Sequence, residues 1–140
     1  MKILVNGIGN IGTTLLNILC DYKQSLGIDS IYALKNTTVY DWNRTEIEFL
    51  EKKGVIICTK NDSEEFVNFK SIENQIEYIF DCNANFFGLK NKQWYQQLPS
   101  LIGCCAQGSE KGFGIPFMTG INENEIFGEK FVQVVSCNTH

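Results

Sequence analysis

The sequence predicts an α/β fold: a doubly wound, mainly parallel sheet with helices on both faces. Three observations carry this. Short apolar runs alternate with stretches of helical periodicity along the whole chain, the pattern of strands and helices that stack into a three-layer domain. The first strand, helix and second strand close within about 35 residues, the size of one parallel crossover unit. The opening apolar run is continuous and stops at glycines, as a strand buried on both faces requires.

The elements follow in order. Residues 2–6 read as a first strand, and Ile11, Leu15, Ile18 and Leu19 recur at helical spacing until Gly27 supplies a stop. Residues 30–34 are a second strand. Residues 38–44 read as loop, and Thr45 with Glu48 has the spacing of a capping box that opens a short helix ending near Gly54. A third strand over 55–58 precedes a polar stretch, 61–74, expected to be loop plus a helical turn. Residues 77–81 give a fourth strand, 88–98 a helix that ends at Pro99, and 101–106 a fifth strand. A glycine-rich stretch over 108–120 leads to a sixth strand over 131–136. There is no internal repeat or low-complexity tract, so 140 residues are expected to form one domain.

Composition narrows the function classes. The hydrophobic content of 44% supports a packed core, and a net charge of -4 with scattered charges argues against nucleic acid as the main partner. No run approaches the roughly 20 apolar residues that span a bilayer, so no membrane partner is expected. The six cysteines (Cys20, Cys58, Cys82, Cys104, Cys105 and Cys137) form no CxxC pair, and His140 is the single histidine, so no metal site is expected. Reduced thiols suit a cytoplasmic protein.

Chemistry enters at Gly7-Ile8-Gly9-Asn10-Ile11-Gly12, a GxGxxG pattern between a strand and a helix. There Gly7 permits the tight turn, Gly9 lets backbone approach a pyrophosphate, and Gly12 lets helix and strand pack closely. The free amides of Asn10 and Ile11 at the helix start would face the anion. This context makes the fold Rossmann-type and the ligand a dinucleotide. An NAD site usually offers an acid at the end of the second strand, roughly 20 residues after the glycines. Here the place reads Leu34-Lys35-Asn36-Thr37, and Asp29 lies at the other end of that strand. A cation with amide and hydroxyl donors suits a 2′-phosphate, so NADP is favoured over NAD.

At the carboxyl end of the sixth strand stands Ser136-Cys137-Asn138-Thr139. A thiol there becomes a nucleophile when its surroundings stabilise the thiolate. With the preceding Val134-Val135, this segment resembles the active-site signature of glyceraldehyde-3-phosphate dehydrogenases. Residues 6–12 resemble that family's opening loop, and Asp81-Cys82 with Gly88 and Lys90-Asn91-Lys92 resembles the block after its fourth strand. Gln107-Gly108-Ser109-Glu110-Lys111 resembles the block that precedes the catalytic strand in the archaeal-type branch. The resemblance covers the whole chain, with two departures: His140 stands where a small residue is expected, and Asn83-Ala84-Asn85 replaces a Thr-Pro-acid run.

The resemblance implies that Cys137 attacks an aldehyde to form a thiohemiacetal, that hydride passes to NAD(P), and that inorganic phosphate releases an acyl phosphate. It places Ser136, Asn138 and Thr139 at substrate or phosphate, and Gly108 and Asn83 with Gly7, Gly9, Asn10, Ile11, Gly12, Lys35 and Asn36 at the cofactor. It implies that residues 1–140 are the NAD(P)-binding domain, ending just after the cysteine motif. The second domain, with its general-base histidine, is expected to be absent. The chain alone would then be inactive, its full-length parent a homo-oligomer, a tetramer by the resemblance, that takes a sugar phosphate and inorganic phosphate. Two alternatives stay open: a stand-alone, non-catalytic nucleotide-binding module, and a dehydrogenase of a related sugar phosphate such as erythrose 4-phosphate.

Overall fold

Strand residues of this chain alternate between two apolar faces, and both faces are covered. The computed structural model describes residues 1–107 and 110–135. Its eight strands are β1 (Lys2–Asn6), β2 (Ser30–Leu34), β3 (Ile56–Thr59), β4 (Val67–Asn68), β5 (Tyr78–Asp81), β6 (Gly103–Gln107), β7 (Ile115–Phe117) and β8 (Phe131–Val134). They form one sheet in the order β4-β3-β2-β1-β5-β6-β8-β7, and every pairing is parallel. Strand order reverses direction between β1 and β5, which makes the carboxyl ends of those two strands the switch point where ligands of such sheets bind.

Helices α1 (Asn10–Asp21) and α2 (Asp41–Lys52) cover one face. Leu16, Leu19, Ile47 and Leu50 pack there with Ile3, Val5, Ile31, Ala33 and Ile57. Helix α3 (Phe87–Tyr95) and the turns around Phe69 and Ile72 cover the other, where Tyr95, Leu98 and Phe113 meet Leu4, Leu34, Ile79 and Cys104. Each fully buried aliphatic side chain contributes about 1.5–3 kcal/mol over an exposed one. The doubly wound architecture expected from the sequence is therefore present, and its two cores are the source of its stability.

Several local expectations are corrected. Helix α1 buries Gly12, Leu16 and Leu19, while Ile11 and Ile18 face outward at about half exposure. The reason is Gly12, which must face β1 because a Cβ there would lie 1.9 Å from the Gly7 carbonyl oxygen. Helix α2 begins at Asp41, four residues before the expected Thr45, because the Tyr40 amide donates to Asn43 Oδ1 at 2.8 Å and closes the first turn. The glycine-rich stretch contains a strand, β7, whose Pro116 sits at a sheet edge where a missing donor is tolerated. Gly114 just before it is required, since a Cβ would meet the Phe131 carbonyl oxygen at 2.1 Å. The polar stretch 61–74 holds the two-residue β4 as well as its helical turn.

Helix α3 is capped from a distance. Its preceding residue Phe86 has φ 74° and gives no side-chain cap. Instead the buried Glu110 accepts from the Leu89 amide at 3.0 Å, a favourable place for a carboxylate at a helix start. Gly88 leaves room for it, with Glu110 Cδ 3.1 Å from where a Cβ would be. The two sequence blocks that hold Gly88 and Glu110 thus meet in space.

Candidate functional site

The three glycines between β1 and α1 have three separate physical reasons. Gly7 has φ 104°, a region that side chains rarely adopt, and a Cβ on it would press on the Cys82 carbonyl at 3.0 Å. Gly12 allows the contact with Gly7 already described. Around Gly9 nothing lies within 4 Å of a built Cβ, so its side-chain space is open. Gly9 also provides no side-chain cap, and the first intrahelical bond runs from the Thr13 amide to the Gly9 carbonyl. The amides of residues 10–12 therefore have no acceptor within the helix. A backbone cradle with open space before it fits a pyrophosphate in size and in charge.

Cavities adjoin this cradle along the carboxyl edge. One of about 480 Å³ is lined by Gly9, Asn10, Lys35, Thr37, Trp42 and Glu46, among others. A second of about 260 Å³ runs from Gly7 and Gly9 past Lys35 and Asn36 to Asn83. A third of about 460 Å³ continues from Asn36 and Asn83 to Phe87 and Asn91. Consecutive cavities share lining residues, so they adjoin in a segmented trough that crosses the switch point. With the open helix amides beside its first two cavities, it suits a ligand whose middle is anionic.

Lys35 is buried and donates to Thr37 Oγ1 at 2.5 Å. Burial lowers its pKa, and the charge of Glu46 acts in the opposite sense. The sequence showed no acid near Lys35; the structure supplies one, because α2 carries Glu46 into the same cavity. Asp29 is where expected, at the far end of β2, bonded to the N-terminal ammonium, which lowers its pKa.

Asn36 is held by its neighbours in this structure. Its Nδ2 gives one hydrogen to Asn6 Oδ1 at 2.8 Å and faces Asn83 Oδ1 at 3.1 Å, so both donors are engaged within the protein. Beneath them lies a buried network. Asp81 accepts from the Asn83 amide and side chain at 3.1 and 3.2 Å, from Asn91 Nδ2 at 3.1 Å and from the Tyr95 hydroxyl at 2.5 Å. Asn6 Nδ2 donates to the same hydroxyl at 2.7 Å. Burial first, then the nearby Asp81, holds the Tyr95 proton on far above the usual phenol range. This network fixes the residues after β1, β2 and β5 relative to one another.

Of the expected cofactor residues, Gly7, Gly9, Asn10, Lys35, Asn36 and Asn83 are brought together at the trough. Gly12 sits behind it, and Ile11 offers its amide while its side chain is exposed. Gly108 and the whole Ser136, Cys137, Asn138 and Thr139 motif lie outside the described residues. The strand leading into that motif, β8, ends at Val134 beside Gln107 of β6, at the same edge of the sheet. Trp42 and Glu46 were missed as site residues. The one available signal was Trp42, a large aromatic in a polar stretch, which is 81% exposed and stacked on Tyr40 at 6.1 Å between centroids.

Burial disfavours the thiolate at every described cysteine. Burial raises the Cys58 and Cys82 thiols to about 12 and Cys105 to about 11, and it raises Cys104 and Cys20 as well. Among the described residues no group of His, Cys, Asp and Glu could hold a metal ion, and no helix is long and apolar enough to cross a membrane.

No family model matches the chain. In sequence it is 24% identical over 149 residues to a glyceraldehyde-3-phosphate dehydrogenase of Archaeoglobus fulgidus, an alignment that takes in 99% of this chain and 42% of that protein. Its identity to the same-named protein of Sulfurisphaera tokodaii is 26%, with 99% and 41% covered. That of Methanothermus fervidus is 24% identical, with 98% and 41% covered. The chain therefore spans about two-fifths of the length of these curated relatives. Among solved structures, glucose dehydrogenase of Haloferax mediterranei in complex with NADP, Zn and gluconolactone superposes with a TM-score of 0.54 at 19% identity, covering 99% of this chain and 37% of that one. The fold is thus Rossmann-type, and over nearly its whole length the chain resembles the N-terminal part of archaeal-type glyceraldehyde-3-phosphate dehydrogenase.

Proposed function

We propose that the chain is the cofactor-binding portion of a phosphorylating glyceraldehyde-3-phosphate dehydrogenase that uses NAD(P). The observation that carries this reading is the cradle at the switch point: three glycines in register, uncapped helix amides, and a trough open on both sides of them. The amides of residues 10–12 hold the diphosphate, Lys35 and Thr37 lie at the adenosine end, and Asn83 and Asn91 line the other. When bound, the nicotinamide accepts a hydride. Cys137 attacks the aldehyde carbon of a sugar phosphate, and Ser136, Asn138 and Thr139 bind the oxyanion or phosphate, where donors aimed at developing negative charge act most strongly. Inorganic phosphate then takes the acyl group from the sulfur. The full-length protein is a homo-oligomeric enzyme, and the cofactor domain alone binds without turnover.

Parallel calorimetric titrations with NADP and NAD test the binding claim. Saturable heat with at least one of them is expected. A folded chain that gives no heat with either overturns the reading.

Thiol labelling tests the nucleophile. Because burial disfavours the thiolate at the other five cysteines, iodoacetamide at pH 8 is expected to modify Cys137 at least roughly tenfold faster than Cys20, with Cys58 and Cys104 reacting only after unfolding. A Cys137 no faster than Cys20 removes the nucleophile and leaves a binding module without catalysis.

A further inference from the structure

The adenosine end of the trough presents one carboxylate and one ammonium to the same space. Lys35, at the end of β2, and Glu46, on the second turn of α2, both line the 480 Å³ cavity and are the two charged side chains among its lining residues. Lys35 Nζ donates to Thr37 Oγ1, and among the described residues no ion pair joins it to Glu46, whose charge acts on it across the cavity. Glu46 is exposed and keeps its acceptor oxygens available, whereas Lys35 is buried. Trp42 and Tyr40, stacked with an interplanar angle of 10°, line the same cavity.

A ribose 2′-hydroxyl is a donor and is recognised by a carboxylate; a 2′-phosphate is a dianion that needs a cation and is repelled by a carboxylate. In sites of this fold the acid usually stands at the end of the second strand. Here that position is lysine, and the acid arrives from the following helix. Resting on the cofactor reading above, we infer that Glu46 is the acceptor for the ribose 2′-hydroxyl of NAD, and that its opposition to Lys35 sets the chain's choice between NAD and NADP. With both present the cavity admits either cofactor: Glu46 favours the hydroxyl form, Lys35 the phosphorylated one.

The test compares the full chain with Glu46→Gln and Lys35→Met by calorimetry against NAD and NADP. Glutamine keeps the size of the side chain and removes its charge. Loss of a charge-assisted hydrogen bond predicts NAD binding weakened roughly tenfold in Glu46→Gln, with NADP binding tightened several-fold. Lys35→Met predicts the reverse order, NADP weakened roughly tenfold and NAD changed much less. A Glu46→Gln chain that changes both cofactors equally, or neither, while the parent chain binds them, overturns the assignment of Glu46 and leaves the cofactor site standing. A folded parent chain that binds neither overturns the site itself. Quenching of Trp42 fluorescence on titration, lost in Trp42→Phe, reports occupancy of this cavity independently of heat.

Discussion

A Gly12→Ala chain is expected to lose about 3 kcal/mol of stability and its cofactor binding together. The added methyl would sit 1.9 Å from the Gly7 carbonyl oxygen, a backbone atom with nowhere to go. Gly7 is held by its own φ of 104° and by the bond from its amide to the Leu34 carbonyl at 3.2 Å, so relief requires moving α1 off the sheet. Overpacking of a well-filled contact costs about 1–3 kcal/mol, and more where backbone must shift. For a domain of this size that lowers the melting temperature by roughly 10 °C, readable by differential scanning calorimetry. Gly9→Ala is the control. Its methyl meets nothing within 4 Å, and its extended backbone suits any residue, so the melting temperature should hold. Binding should nonetheless weaken, because the methyl occupies the space before the helix amides. If Gly9→Ala binds both cofactors as the parent does, the pyrophosphate does not lie over this loop.

That separation of roles shows where the sequence is legible. The spacing of the three glycines between an apolar strand and an amphipathic helix is a local pattern with a local cause, and it locates the switch point correctly. The alternation of strands and helices likewise rests on nearest-neighbour chemistry. What escaped the reading depends on contacts between distant residues. The first turn of α2, 41–44, reads as loop because its start relies on the Tyr40 amide meeting Asn43, and Trp42 is hidden with it. Glu46 lies inside the expected helix, but nothing local shows that α2 carries it beside Lys35. The outward turn of Ile11 and Ile18 follows from the demand of Gly12 to face β1, which outweighs two exposed isoleucines. Glu110 caps α3 across twenty-one positions, and no periodicity announces such a partner. The three-residue β7 is too short for any pattern and exists because β8 lies beside it.

The Asp81 network is the second place where one change should reach both fold and site. Asp81→Ala removes the acceptor for Asn91, Asn83 and the buried Tyr95 hydroxyl at once. The Tyr95 ring is fully buried, so its proton would be left without a partner away from water. Each buried donor so orphaned costs about 1–3 kcal/mol, and an unfolding free energy lower by about 3 kcal/mol is expected in urea titration. Tyr95→Phe is milder: Asp81 keeps its bonds from Asn83 and Asn91, but the buried Asn6 Nδ2 loses its acceptor, so the loss is about 2 kcal/mol. The double variant distinguishes a network from independent bonds. Once Asp81 is gone the hydroxyl proton has no acceptor, so removing it offsets the acceptor lost to Asn6, and Asp81→Ala with Tyr95→Phe should be about as stable as Asp81→Ala alone, a coupling of about 2 kcal/mol. Cofactor binding should follow a different order. Asn83 and Asn36 are held at the trough through Asp81, so binding falls in both Asp81→Ala chains and persists in Tyr95→Phe. Strict additivity of the two substitutions would show that the side chains act separately, and that the loop after β5 is positioned by the sheet alone.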